Sequence, residues 1–356
     1  MSNSRFGKSV LIVEQKLEEL TRLRDIVSSL GFERAEAASS VNMAVSFLRE
    51  NSFDLVLVAY SLGSDEKNGL QLIQESFNEG LGLFQTLFML VVEPEASSLL
   101  VGSLESAPDA YISKPFDRAK IQSRLEKLLR VKKVVYRVEE AMDAQQWESA
   151  IQYCDKIADV YPGLKVYLGR LKGICLLESR QYKEAQLLFG ELVTVRNQVW
   201  AQVGLGMSHH FLGQHKEAVH VLQQVIDQQH ISVEAFSWLA RSLQALGEDS
   251  EAVMSMRKAV MLQATVPQLQ ADLGHLAASA DEWNLAVDAF RATLKYSRYT
   301  VFQNPDHYFS FVRALIERYL IKKGPPEELE LESIRVLEDA VRDSGDDTTV
   351  KFRSHV

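Results

Sequence analysis

The chain has 356 residues, 46% of them hydrophobic and 24% charged, with few Gly and Pro. That length argues for two or three domains, and the composition excludes a fibre or a disordered chain. The net charge is −9, and neither residues 1–130 (14 Lys and Arg against 18 Asp and Glu) nor the remainder (25 against 30) is basic, which argues against nucleic acid or an anionic membrane as the main partner.

The first residues run directly into a short apolar stretch, with no segment of signal-peptide length. The longest apolar run, Leu81 to Val92, is interrupted by Gln85 and Thr86 and is too short to span a bilayer. The expected location is therefore cytoplasmic. Strand-length apolar runs follow at Ser9–Val13, Asp54–Ala59, Leu87–Val92 and Ala110–Ser113. Helical spacing fills the intervals, as in Leu17 to Leu30, which ends at Gly31. Alternating helices and fully apolar strands predict a parallel sheet covered on both faces.

These residues resemble the receiver domain of response regulators over about residues 7–130. The resemblance rests on the Val10–Val13 strand, the Asp54-Leu-Val-Leu-Val strand, the loop from Ser61 through Asn68-Gly69-Leu70, and Tyr111-Ile-Ser-Lys114-Pro115-Phe116. It implies a doubly wound parallel five-stranded sheet of the CheY-like kind and a cis Lys114–Pro115 peptide. It also implies a Mg²⁺ site built from an acidic pair after the first strand together with a phosphorylated aspartate. The matching positions depart from that chemistry. The acidic pair is Glu14-Gln15, the nucleophile's position is Ala59, and the switch hydroxyl's position is Val92. Lys114 remains, with Tyr111 at the aromatic switch position. Asp54 begins its strand, whereas ligands of such sheets gather at the C-terminal edge. Asp65 lies beyond the strand and is a poor substitute. The expectation is a degenerate site that takes no phosphoryl group, with Glu14 pairing Lys114, and no metal or cofactor.

Residues 117–144 read as one amphipathic run with Ile121, Leu125, Leu128, Leu129, Val131, Val134, Val135, Val138 and Ala141 on its apolar positions. A helix of that length is ~40 Å long. It predicts a rod shared by two domains. Its apolar face either forms a homodimer seam or is divided between the two cores.

A repeat begins there. Ala150, Ala185, Ala218, Ala252 and Ala286 are spaced by 35, 33, 34 and 34 residues. A small residue precedes the last four by twelve positions (Gly173, Gly206, Ala240, Gly274), and a bulky one follows by four (Phe189, Leu222, Met256, Phe290). Gly213-Gln214 and Gly247-Glu248 mark helix ends. The two cysteines, Cys154 and Cys175, have apolar neighbours within helical patterns and read as reduced core residues. Such hairpins cannot bury their faces alone and must stack. The pattern resembles the tetratricopeptide repeat family over residues 131 to about 300. After Pro305 the period weakens. Two helices, broken at Gly324-Pro325-Pro326, predict a cap with a more polar outer face, and a frayed tail follows Asp343.

The expected architecture is thus α/β plus all-α: a receiver-like domain (1–130), an α-solenoid of about five tetratricopeptide hairpins (131–300), a helical cap (301–342) and a polar tail (343–356). Carried over unit by unit, the family's concave groove falls on Tyr167, Arg170, Glu178, Trp200, Met207, His210, Ser237, Arg241, Gln244 and His275. The family's carboxylate clamp is absent, with Ile174 and Met207 where Asn is wanted. A mixed aromatic and basic groove suits a helical or extended peptide of acidic character. Adjacent His209 and His210 point about 100° apart and make a poor metal pair. With no nucleophile constellation or phosphate loop, the sequence reads as a non-catalytic bacterial signalling adapter, in a two-component or motility pathway. The alternative is a regulator switched by a partner protein or small ligand and relayed through 117–144.

Overall fold

The computed structural model describes residues 9–63, 67–78, 80–81, 84–94, 104, 108–195, 198–228, 232–298, 300, 302–322, 326–345 and 347–355. Asp65 and the Gly324-Pro325 break lie outside them. The chain divides into two compact units, Met1–Ser232 and Val233–Val356.

The first unit opens with five parallel strands: β1 (Ser9–Val13), β2 (Arg34–Ala38), β3 (Leu55–Ala59), β4 (Leu87–Val92) and β5 (Ala110–Ser113). Their order, β2-β1-β3-β4-β5, places the switch point between β1 and β3. Pleating sends alternate residues to opposite faces. Leu11, Val13, Val56, Val58 and Phe88 pack with α2 (Val41–Glu50) and α3 (Gly69–Asn78). Val10, Ile12, Leu55, Leu57 and Met89 pack with α1 (Leu17–Ser29) and with Ile121 and Leu125 of α4 (Arg118–Asp143). The sequence did not reveal β2. Its Arg-Ala-Glu-Ala-Ala carries no apolar signature because it is an edge strand, half exposed. The helix expected between β4 and β5 lies mostly outside the described residues.

Two details fix the sheet's edges. Asp54 accepts from the backbone N–H and the hydroxyl of Ser9 at 2.9 and 3.0 Å, tying the N-terminal ends of β3 and β1. At the other end, a Cβ on Gly69 would meet the carbonyl of Ala59 and stand 2.8 Å from Val58 Cγ2. Only glycine lets α3 start this close to β3.

Helix α4 is continuous across residue 130, with Asp117 accepting from Lys120 N at its start. Its first half lies on the sheet and its second half packs with α5 (Trp147–Val160). Ile121, Leu125, Val135, Val138, Ala141 and Met142 are all buried within the chain. The division between two cores, rather than a face kept for a second copy, accounts for most of the stripe.

Hairpins follow: α6 (Lys165–Glu178) with α7 (Tyr182–Val195), and α8 (Val199–Phe211) with α9 (His215–Asp227). In the second unit, α10 (Val233–Ala245) pairs with α11 (Asp249–Leu262), α12 (Pro267–Ser279) with α13 (Trp283–Ser297), and α14 (Pro305–Lys322) with α15 (Pro326–Asp343). The repeat's glycine and bulky positions meet within their own hairpins. A Cβ on Gly206 would stand 2.6 Å from Leu222, and one on Gly274 2.6 Å from Phe290. Phe189 fills space against both Gly173 of its own hairpin and Gly204 of the next. The bulky residue therefore closes its own hairpin as well as the following gap.

The hairpin turns share one geometry. Gln145, Arg180, Gly213, Gly247 and Asp281 all adopt positive φ, between 55 and 80°. Each donates to the carbonyl three residues back, and the next residue to the carbonyl five back, as Arg180 N does to Leu177 O and Gln181 N to Leu176 O. Two expectations need correction. The tail is not frayed: α16 (Thr348–His355) is helical and buries Val350 with Tyr308 and Ala340. The outer face of the last pair is not polar either, since Leu320, Ile321 and Leu331 are exposed.

Candidate functional site

At the C-terminal edge of the sheet, β1 delivers Glu14 inward and Gln15 outward; Glu14 is only 1% exposed. Lys114, after β5 and in a cis peptide with Pro115, sits 3.7 Å from Glu14 Oε2 and 3.1 Å from Glu93 Oε1. Burial opposes its charge, but Glu93, Glu14 and Glu19 outweigh that and hold its pKa above the ordinary lysine value. Glu14 Oε1 also accepts from Lys16 N at 2.9 Å. Ala59 and Val92 are buried at the ends of β3 and β4 and present methyl groups to this edge. Tyr111 is partly buried against the core beneath α2 and α3, and burial pushes its hydroxyl up to about 12. At this edge Glu14 and Glu93 both face the Lys114 ammonium. β3 and β4 end in Ala59 and Val92, whose side chains carry neither carboxylate nor hydroxyl.

A second cluster, absent from the sequence reading, lies where α4 leaves the sheet. Lys132 is 4% exposed and Glu139 2%. Lys132 Nζ is 2.7 Å from Glu139 Oε1 and 3.2 Å from Asp109 Oδ1, and it donates to the carbonyl of Phe84. Asp143 accepts from Phe84 N at 2.6 Å and from the Gln85 side chain at 3.2 Å. Tyr167 donates to Glu139 Oε1 at 3.4 Å, and Arg170 donates twice to the carbonyl of Leu104, at 3.0 and 2.6 Å. Burial raises Glu139 to about 7, with Asp109 adding to the rise and Lys132 opposing it. Lys132 is held well above its usual range, because Asp109 and Glu139 overcome the burial that disfavours its charge. A signal was present in the sequence: Lys132 and Glu139 stand on the apolar stripe of α4, seven residues apart, where solvated charges do not belong.

The expected groove residues separate into distinct environments. Tyr167 and Arg170 belong to the cluster just described and hold the chain to itself. Met207 and Ser237 are buried in the helical core. In the first unit, Trp200 is half-buried, edge-on to Phe189 at 6.5 Å and bonded to Gln198, while His210 lies 5.1 Å from the His215 ring. Glu178 is exposed. In the second unit, Arg241 stacks over Trp238 at 4.5 Å and pairs with Asp272 at 2.7 Å, and Gln244 and His275 are exposed.

The geometry defines a class: a doubly wound parallel sheet followed in the chain by tetratricopeptide-like helical repeats. No protein-family model matches the chain, and no curated protein does. Among solved structures it is similar to residues 41 onward of MamA from Desulfovibrio magneticus RS-1, at 20% identity, covering 47% of this chain and 94% of that one, with a TM-score of 0.41. It is also similar to YrrB, described as a TPR protein with an unusual peptide-binding site, at 14% identity over 56% of this chain and 97% of that one (TM-score 0.42). A third is the C-terminal part of a TPR repeat-containing protein from Cytophaga hutchinsonii, at 16% identity over 59% and 78% (TM-score 0.45). Among the described residues, no helix is long and apolar enough to cross a membrane.

Proposed function

We propose that this chain is a non-catalytic signalling adapter that binds partner proteins through its helical repeats, and that its sheet is a receiver-like domain which no longer takes a phosphoryl group. The observation that carries the second half is the pairing of Lys114 with Glu14 and Glu93 at an edge where β3 ends in buried Ala59. A methyl group at position 59 offers no carboxylate to take up a phosphoryl group, and Lys114 is engaged by two carboxylates in its place. The partner-binding half rests on half-buried and exposed side chains of the repeats: the aromatic and basic Trp200 and His210 in the first unit, and Arg241 and His275 with the amide of Gln244 in the second. They suit a helical or extended peptide with acidic groups.

Two experiments test this. Incubation with acetyl phosphate and Mg²⁺ is expected to leave the protein unlabelled; acid-labile, Mg²⁺-dependent phosphate refutes the degenerate-receiver reading. Affinity purification from the source cell is expected to recover proteins that a Trp200→Ala, Arg241→Ala variant loses. Equal recovery by both refutes the assignment of these residues. A second reading, a regulator relayed through the shared helix, is favoured by the polar ties between α4, α6 and the residues flanking β4 and β5.

A further inference from the structure

The cluster around Lys132 has a charge imbalance that its geometry does not relieve. Lys132 is its one ammonium. Around it stand Asp109 from the approach to β5, Glu139 and Asp143 from α4, and the Tyr167 hydroxyl from α6. The guanidinium of Arg170, also on α6, donates twice to the carbonyl of Leu104. Asp109 is held by Lys132, and Asp143 by three donors from Phe84 and Gln85. Glu139 receives Lys132 and Tyr167 on the same oxygen, Oε1. Its burial is almost complete, and a buried carboxylate without full compensation takes up a proton.

We propose that this cluster is a proton-sensitive clasp between the sheet and the first helical hairpins. With Glu139 protonated, one buried cation faces two carboxylates and the clasp is closed. When Glu139 releases its proton to solvent, three carboxylates share one ammonium in a largely buried site. The contacts that Lys132, Tyr167 and Arg170 make across the joint then loosen. The elements this frees are α6 and the residues preceding β4 and β5, which α4 and α6 otherwise pin.

The direction follows from linkage. Burial raises Glu139 above its free value, so the closed clasp binds one more proton than the open one between about pH 4.5 and 7. Closure is favoured below that window and is lost progressively as pH rises through it. Burial shifts Asp143 in the same direction, which adds to the trend.

The test is hydrogen exchange by mass spectrometry on the full chain from pH 5 to 8, corrected for intrinsic exchange. In peptides spanning 108–113 and 165–178, the opening equilibrium is expected to rise up to about tenfold per pH unit between 5 and 7, then level off. Peptides within α12 and α13 serve as the insensitive reference. Glu139→Gln is expected to remove most of the slope, leaving the smaller contribution of Asp143. A flat wild-type profile, or an unchanged slope in Glu139→Gln, overturns the proposal. Should that variant fail to fold, ¹³C-carboxyl NMR of wild-type Glu139 decides: a midpoint near 7 supports the clasp, and one near 4.5 overturns it.

Discussion

The wedge formed by Phe189 predicts that one substitution, Gly to Ala, has opposite signs at positions seventeen residues apart. At Gly190, in the interior of α7, an added Cβ meets nothing within 4 Å. Alanine there gains ~1 kcal/mol from helix propensity and reduced unfolded-state freedom. At Gly173, within α6, the same gain is available, but the new methyl stands 2.6 Å from Phe189 Cε1 and nearer still to Cζ. Ordinary contact needs about an ångström more. A ring free to swing relieves such a clash cheaply. This one is held on its other side by Gly204, whose own added Cβ would stand 2.5 Å from the same ring tip. Overpacking of a wedged core residue costs ~1–3 kcal/mol, so Gly173→Ala is expected to be net destabilising by about 1 kcal/mol or more. The assay is urea unfolding of the full chain followed by tryptophan fluorescence and by circular dichroism. Gly190→Ala should shift the first unit's transition upward and Gly173→Ala downward. Phe189→Leu, combined with Gly173→Ala, should recover part of the loss. Stabilisation by Gly173→Ala equal to that at Gly190 refutes the wedge.

Two other consequences are measurable. Arg180 holds φ of 60° at a turn where Gly213 and Gly247 stand in sister repeats; Arg180→Gly is expected to raise stability by a few tenths to 1 kcal/mol, read in the same unfolding assay. Burial pushes the thiol of Cys154 up to about 12 and that of Cys175 higher still. Neither should react with a thiol-specific reagent in the native state, and both should react on unfolding.

What the sequence made legible was whatever recurs or alternates. Continuous apolar runs revealed β1, β3, β4 and β5, and a period near 34 revealed the hairpins. Fixed offsets marked the small and bulky positions, but that Phe189 meets Gly173 and Phe290 meets Gly274 within their own hairpins was seen only in the fold. Unperiodic features stayed hidden. The β2 strand is an alanine-rich edge whose place is set by pairing with β1, not by its own pattern. Helix α16 is short, and among its described residues it is held by buried Val350 and by Arg353, which pairs with Asp306 and lies over Phe309. The clasp was the larger omission. Tyr167 and Arg170 occupy positions that face open space in a bare repeat array, so family register sent them to a groove. Here Glu139 of α4 takes Tyr167, and the carbonyl of Leu104, between β4 and β5, takes Arg170. Lys132 and Glu139 share the apolar stripe of α4, but Asp109 reaches them only through long-range folding, and no local spacing brackets it.

Phe189 also constrains how this sequence can drift. Residues 173, 189 and 204 behave as one locus in three places. A larger residue at either glycine is tolerated only after the aromatic ring has shrunk, and once it shrinks neither glycine is required. Viable histories must therefore pass through the smaller side chain first. Among relatives of this chain, the three positions should be found changing together, in that order, or not at all.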